Sequence, residues 1–405
     1  MLQIVKWIVI LLVTTISMLA QDTFTNKEGS QYQFKTIMKW NATPVEDQSQ
    51  TGTCWSFSSM SFIESEIMRL GGKPVDLSEM YVVRNAYVAK AENYLRMNGN
   101  ANLDQGGEFH DLFNVIRHYG MVPESVYQGL NYGYTSHNHD EMVAGLKGFI
   151  DAIKSKPQEG KLTPNWEKAA TEIVDAYLGD LPDDLSKFTF TVDGASYTPF
   201  TYAQKLKLNP DDYVSLTSFT HHPYYSSFVV EVPDNWAMQT SYNLPLDELM
   251  EVMEQTIRNE FTFAWAADVS EKGFSARDAL AILPEDESTI QVKGKNDMYF
   301  NTAGSEKISN AFMTPVKEKW VTPEQRQAAF DEQTTTDDHG MHATGLITDQ
   351  KGTKYFVIKN SWGTDHNTQG GYFYASFPYV RYKTIMIQVH KDALSKELKA
   401  KLGIK

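Results

Sequence analysis

A single cysteine, Cys54, stands in a chain of 405 residues, so no disulfide within the chain can staple it. Whatever fold forms must be held by its own core, and the composition permits one. Hydrophobic residues make up 41% of the chain and charged ones 22%. That is an ordinary globular balance, with length for one large domain or two moderate ones. No repeat, low-complexity run or long charge block interrupts it, which argues against a solenoid or a disordered tail.

The lone cysteine gains meaning from how the chain begins. Lys6 is the only charge among residues 1–20, Ile8 to Val13 are unbroken apolar, and Met18-Leu19-Ala20 precede Gln21-Asp22. A short charged start, an apolar stretch and a small-residue cleavage point predict an export signal over residues 1–20 and a periplasmic or secreted protein. The apolar run is short for a full span, which takes roughly 20 residues, so no membrane association is expected beyond the signal. Exported proteins ordinarily use cysteines in pairs. Cys54 has no partner, so it is either buried and inert or a working thiol. A net charge of −14 argues against nucleic acid, which is bound through clustered Lys and Arg.

The flanking residues favour a working thiol. A polar loop, Asp47-Gln48-Ser49-Gln50-Thr51-Gly52-Thr53, runs into Cys54-Trp55. Beyond it Met60, Ile63, Ile67 and Leu70 recur at helical spacing, predicting a helix with one buried face, stopped by Gly71-Gly72-Lys73-Pro74. Cys54 then lies in the first turn, where unpaired amides favour a thiolate. Gln48 is near enough to donate its side-chain amide to an oxyanion, together with the Cys54 backbone N–H. A thiol nucleophile also needs a base, ordinarily a histidine distant in sequence. Near the far end stand Asp337-Asp338-His339-Gly340-Met341-His342, then the strand-like Tyr355 to Lys359 and Asn360-Ser361-Trp362-Gly363.

Gln48, five residues, Cys54-Trp55 resembles the active-site segment of papain-family peptidases. His339 with Gly345 five residues beyond, and Asn360-Ser361-Trp362-Gly363, are similar to that family's base and orienter segments. The resemblance implies Cys54 as nucleophile, His339 as base, Asn360 orienting the imidazole and Gln48 holding the oxyanion. Trp55 and Trp362 support them, with Trp362 shielding the His339–Asn360 bond from water. Thr51 stands where most such enzymes carry a disulfide cysteine. That departure points to the branch resembling bleomycin hydrolase and aminopeptidase C.

The same resemblance implies that Gly106 and Gly107, in Asp104-Gln105-Gly106-Gly107-Glu108, contact the substrate backbone. A helix follows them with Phe109, Leu112, Phe113 and Ile116 on one face. Leu77-Ser78-Glu79 resembles a further signature of structural use. The implied fold is α+β and papain-like: a helical lobe carrying Cys54 (about 35–130), a helical insertion (about 131–260), an antiparallel β-barrel-like lobe carrying His339 and Asn360 (about 261–390) and a C-terminal helix (391–405). Two apolar stripes mark helices in the insertion: Trp166, Ala169, Ala170, Ile173 and Tyr177, then Leu246, Leu249, Met250, Met253 and Ile257.

The expected activity is peptide hydrolysis by a thiolate nucleophile through an acyl-enzyme, without cofactor or metal. Aminopeptidase action is implied by the branch. An endopeptidase stays open, because Leu394, Leu398 and Leu402 mark a helix running almost to Lys405 and leave no extended tail of the kind that limits relatives to N-terminal residues. A peptide-binding protein without turnover and a metallohydrolase are the readings from other classes. His342 is expected on the opposite side of the strand from His339, in a structural role. His137, His139, His221 and His222 read as solvated loop residues, with no carboxylate at metal-ligand spacing to complete a site. Relatives with the insertion form hexamers, which implies a homo-oligomer.

Overall fold

In the computed structural model, residues 23–155, 161–293 and 306–405 are described; the export signal expected over residues 1–20 lies outside them. Among them no helix is long and apolar enough to cross a membrane.

Helix α1, Cys54–Arg69, runs through the centre of the molecule and is buried on every side from Trp55 to Ile67. This differs from the single buried face that the Met60, Ile63, Ile67 spacing predicts. The spacing marks the apolar stripe, but the remaining face is made of serines that satisfy themselves. Ser58 Oγ donates to the Cys54 carbonyl at 2.6 Å and Ser59 Oγ to the Trp55 carbonyl at 2.6 Å. Ser56 Oγ donates across to the Glu79 carbonyl at 3.0 Å. A hydroxyl bonded to a carbonyl one turn back can be buried at little cost. Around α1 pack α2, Glu79–Arg96, and α3, Phe109–Tyr119. Ser78, from the Leu77-Ser78-Glu79 signature, caps α2 by accepting from the Tyr81 amide at 3.0 Å.

The other lobe is an eleven-stranded sheet. It is open, not the barrel-like closure expected: among the described residues its path runs from Ser227–Val229 at one edge to Phe274–Ser275 at the other. Three of its strands, Tyr213–Thr217, Ser227–Val229 and Thr240–Asn243, come from the insertion, which is therefore mixed and not helical alone. They extend the sheet past Thr384–His390, an edge that would otherwise be free to curl round. At the chain's start, strand β1, Lys35–Lys39, pairs with His339–Thr348, so residues assigned to the helical lobe belong to the sheet.

Strand Phe263–Ala267 shows how the lobes meet. Successive side chains of a strand point to opposite faces. Phe263, Trp265 and Ala267 enter the core beneath the helix Leu246–Arg258, whereas Ala264 and Ala266 face α1 and its neighbours. Alanines on that face let α1 lie close against the sheet, so its first turn is within bonding reach of strand His339–Thr348. The insertion helices α4, Asp140–Lys154, and α5, Asn165–Leu178, pack on α2. Arg84 of α2 bonds Asp175 of α5 through both carboxylate oxygens, at 2.8 and 2.9 Å.

Candidate active site

Cys54 is the first residue of α1, and three segments converge on it. The first is its own loop. Thr51 Oγ1, at the position of the missing cysteine, donates to the Gln48 carbonyl at 2.8 Å and bonds Thr53 Oγ1 at 2.5 Å, a buried polar knot in place of a disulfide. The second is the start of strand His339–Thr348. The Gly340 amide donates to Cys54 Sγ at 3.4 Å. A β-carbon at Gly340 would sit 2.8 Å from Ser58 Oγ, 3.0 Å from the Phe109 ring and 3.3 Å from the Trp55 α-carbon. Strand and helix approach this closely only because residue 340 has no side chain. His339 is thereby held beside the sulfur's own turn.

The third segment follows strand Lys354–Lys359, whose antiparallel register with the His339 strand sets Lys359 opposite His342. The chain leaving it carries Asn360 back toward His339. His339 Nε2 lies 2.6 Å from Asn360 Oδ1. The carboxamide oxygen accepts, so the proton is on Nε2 and the lone pair on Nδ1. Trp362 stacks on the imidazole, centroids 4.6 Å apart at 29°. Gln48 is tied to the same segment. Its amide donates to the Ser361 carbonyl at 2.9 Å, and its side-chain Oε1 accepts from Ser361 Oγ at 2.6 Å. Gln48 Nε2 donates one hydrogen to the Thr51 carbonyl at 2.8 Å. A primary amide has two, so one is left to give.

Burial sets the electrostatics. It pushes the Cys54 thiol up to about 12, opposed by the Gly340 amide and reinforced by Asp234 and Asp337. It pushes His339 down to about 4, against the Asn360 bond and the charge of Asp338. Burial thus opposes both the helix-start thiolate expected from sequence and a charged imidazole. Two carboxyls share a hydrogen bond nearby. Burial raises Asp337 to about 8, and raises Glu108 well above the usual carboxylate range.

Gly106 and Gly107 lie in the loop that Trp55 Nε1 holds by donating to the Gln105 carbonyl at 3.1 Å. Both need the absence of a side chain for contacts within the molecule. A β-carbon at Gly107 would meet Trp55 and Asp111, and one at Gly106 would overlap the Asp234 carboxylate. Asp234 comes from the insertion, in Val232-Pro233-Asp234-Asn235-Trp236, and nothing in its local sequence marks it.

Of the other histidines, His342 takes the structural place expected of it, and the loop histidines depart from the sequence reading. His342 is fully buried on α1, its Nδ1 2.9 Å from Ser61 Oγ, away from the sulfur yet against the same helix. His139 is also fully buried, bonded to Tyr87 Oη at 3.1 Å and pushed down to about 3 by burial. Burial likewise pushes His137 down to about 4. Neither is a solvated loop residue, because α4 folds their segment onto α2. His221 and His222 each bond Glu231, at 3.0 and 3.1 Å, and these three could hold a cation. The missing carboxylate arrives from nine residues beyond His222, just past strand Ser227–Val229.

Residues 31–176 match the family model described as papain family cysteine protease, and residues 319–404 the one described as peptidase C1-like family. The chain is 23% identical over 246 residues to cysteine proteinase 1, mitochondrial, of Saccharomyces cerevisiae, covering 51% of each chain; it thus matches about half the length of that relative. It is 22% identical over 388 residues to aminopeptidase C of Lactococcus lactis subsp. cremoris, covering 87% of this chain and 82% of the relative. The crystal structure of pepw from Lactobacillus rhamnosis shares the fold, with a TM-score of 0.67 at 19% identity over 91% of this chain and 84% of that one.

Proposed function

We propose, from the premise that this chain is a papain-like cysteine peptidase of the bleomycin hydrolase and aminopeptidase C branch, that it removes N-terminal residues from peptides through an acyl-enzyme on Cys54. The likeness to aminopeptidase C supports the N-terminal preference, and one geometry carries the acyl-enzyme. The imidazole of His339 is fixed through Nε2 on Asn360, and the next backbone amide reaches the Cys54 sulfur.

From a neutral pair, the sulfur attacks the scissile carbonyl as its proton passes to His339 Nδ1. The free hydrogen of Gln48 Nε2 and the Cys54 backbone N–H receive the oxyanion. His339 then gives the proton to the leaving amine, and water, activated by the same imidazole, releases the acyl group. Asn360 holds the ring so that one nitrogen serves both transfers. Trp362 keeps water from that bond, which strengthens it.

One peptide offered with a free and with an acetylated N-terminus tests the aminopeptidase reading. It requires cleavage of the free form only; equal cleavage of both makes the protein an endopeptidase. Labelling by a thiol-directed epoxide, lost in Cys54→Ala, separates a peptidase from a silent binding protein. The proposal extends to export through residues 1–20, tested by N-terminal sequencing of secreted protein, and to a homo-oligomer, tested by mass in solution.

A further inference from the structure

The mechanism leaves unused a carboxylate that lies next to it. Segment Val230–Gln239 joins strands Ser227–Val229 and Thr240–Asn243 and is pinned in place along its length. Asn235 Nδ2 donates to the carbonyls of Val230 and Gln239 at 3.1 and 2.9 Å, and Asn235 Oδ1 accepts from the Gln239 amide at 2.9 Å. Asn93 Nδ2 donates to the Trp236 carbonyl at 3.0 Å, and Trp236 Nε1 donates to Asp111 Oδ2 at 2.8 Å. A turn held this way presents its central residue rigidly. That residue is Asp234, whose Oδ1 accepts from Asn102 Nδ2 at 2.8 Å and whose carboxylate covers the face of Gly106. It keeps some surface exposed, so a ligand can reach it.

The local charge is unbalanced. Lys90 is the cation acting on Asp234, and it is buried with its ammonium committed to the carbonyls of Asp104 and Gly106. Asp104 and Asp111 also act on Asp234. For a thiol nucleophile this is costly. Asp234 is close enough to Cys54 to disfavour negative charge on the sulfur, so a bare carboxylate here opposes the chemistry. A substrate that brings its own cation removes the penalty. In a peptide with a free N-terminus, the α-nitrogen is two bonds from the scissile carbonyl carbon. The ammonium must therefore lie within a few ångströms of the sulfur, on the side of the cleft where the chain would otherwise continue. Gly106, whose face the carboxylate covers, follows Gln105, whose carbonyl Trp55 holds next to Cys54; a carboxylate placed there would block a longer chain and pair with the charge that ends a short one.

We propose that Asp234, presented over Gly106 by the Val230–Gln239 turn, binds the free α-ammonium group of the substrate's first residue. The inference rests on the aminopeptidase reading and deepens it. Four amides of one fluorogenic amine test it: alanyl, propionyl (alanyl without its ammonium), acetyl-alanyl, and acetyl-lysyl-alanyl, which moves the ammonium to a side chain. The readout is the ratio of kcat/KM for alanyl over propionyl within each variant, which a change in folded fraction cannot move. Wild type is expected to favour alanyl. Asp234→Asn retains the oxygen that Asn102 holds, and should lower the ratio about tenfold or more, the value of a charge-assisted bond. Asp234→Glu, which keeps the charge, should recover part of the ratio. Undiminished preference for alanyl in Asp234→Asn overturns the assignment. So does a wild type that prefers acetyl-lysyl-alanyl and loses that preference in the variant, since the carboxylate then reads a side chain. If wild type cleaves propionyl and acetyl-alanyl as fast as alanyl, the aminopeptidase reading itself fails.

Discussion

The close approach of strand His339–Thr348 to α1 can be tested with one methyl group. In Gly340→Ala the added carbon meets Ser58 Oγ at 2.8 Å, the Phe109 ring at 3.0 Å and the Trp55 α-carbon at 3.3 Å, where ordinary contact begins at 3.4 Å. The Ser58 contact is thus short by roughly half an ångström, and the Trp55 backbone on the far side cannot rotate out of the way. The strand must lift by that amount, carrying the His339 imidazole and lengthening the Gly340 amide bond to the sulfur. A 1 Å misplacement of reacting groups costs about 100-fold, so half that shift predicts a fall in kcat of about tenfold. Overpacking a close-packed contact costs about 1–3 kcal/mol in stability. Steady-state kinetics on an aminoacyl amide with a fluorogenic leaving group gives the first quantity, and urea unfolding the second. Ser58→Ala removes the shortest contact, so the double variant should regain part of the lost kcat. Wild-type kcat and stability in Gly340→Ala would refute the packing argument. A double variant no faster than the single would show that the serine contact is not what moves the strand.

Gln48→Ala removes an oxyanion donor and should lower kcat by about 100- to 1,000-fold, with KM little changed; a loss below tenfold in steady-state kinetics counts against that role. The sign of the His339 shift fixes the acid limb. Burial holds the imidazole down to about 4, so it stays a neutral base until pH falls through that value. The rate kcat/KM should thus be level from about pH 7 to about pH 5 and drop below, whereas an acid limb centred near 6.5 contradicts the burial argument. Ser78→Ala removes the cap on α2 and should cost about 1 kcal/mol. Thermal unfolding should show a melting point lower by a few degrees, with kcat unchanged.

The convergent segments were legible because their chemistry is local. A helix start, a glycine where backbones touch and a carboxamide beside an imidazole are each written in a few adjacent residues. Thus Cys54 falls at the first residue of α1, and Asn360 meets His339, as the order of the segments suggests. What sequence reading missed depends on pairings across distance. The strands of the insertion are three to five residues long, too short for alternation to reveal them. The buried serines of α1 look polar until the carbonyls they bond are known. In α5 the buried residues are Ala170, Val174, Asp175 and Leu178, a stripe turned from the predicted one because Asp175 is carried inward by Arg84. Asp234 and Glu231 gain partners only when the insertion folds back, and no motif announces either.

The pairing of β1 with strand His339–Thr348 also bears on how the molecule is made. Cys54 and the amide that contacts its sulfur are 286 residues apart. A ribosome adds about 5–20 residues each second, so the nucleophile is outside for roughly 15–60 s before its base exists. Throughout that interval β1 has no strand to pair with, and the lobe that positions His339 cannot assemble. The growing chain is thus unable to cut itself or its neighbours while it is being synthesised, with no inhibitory segment required for the purpose.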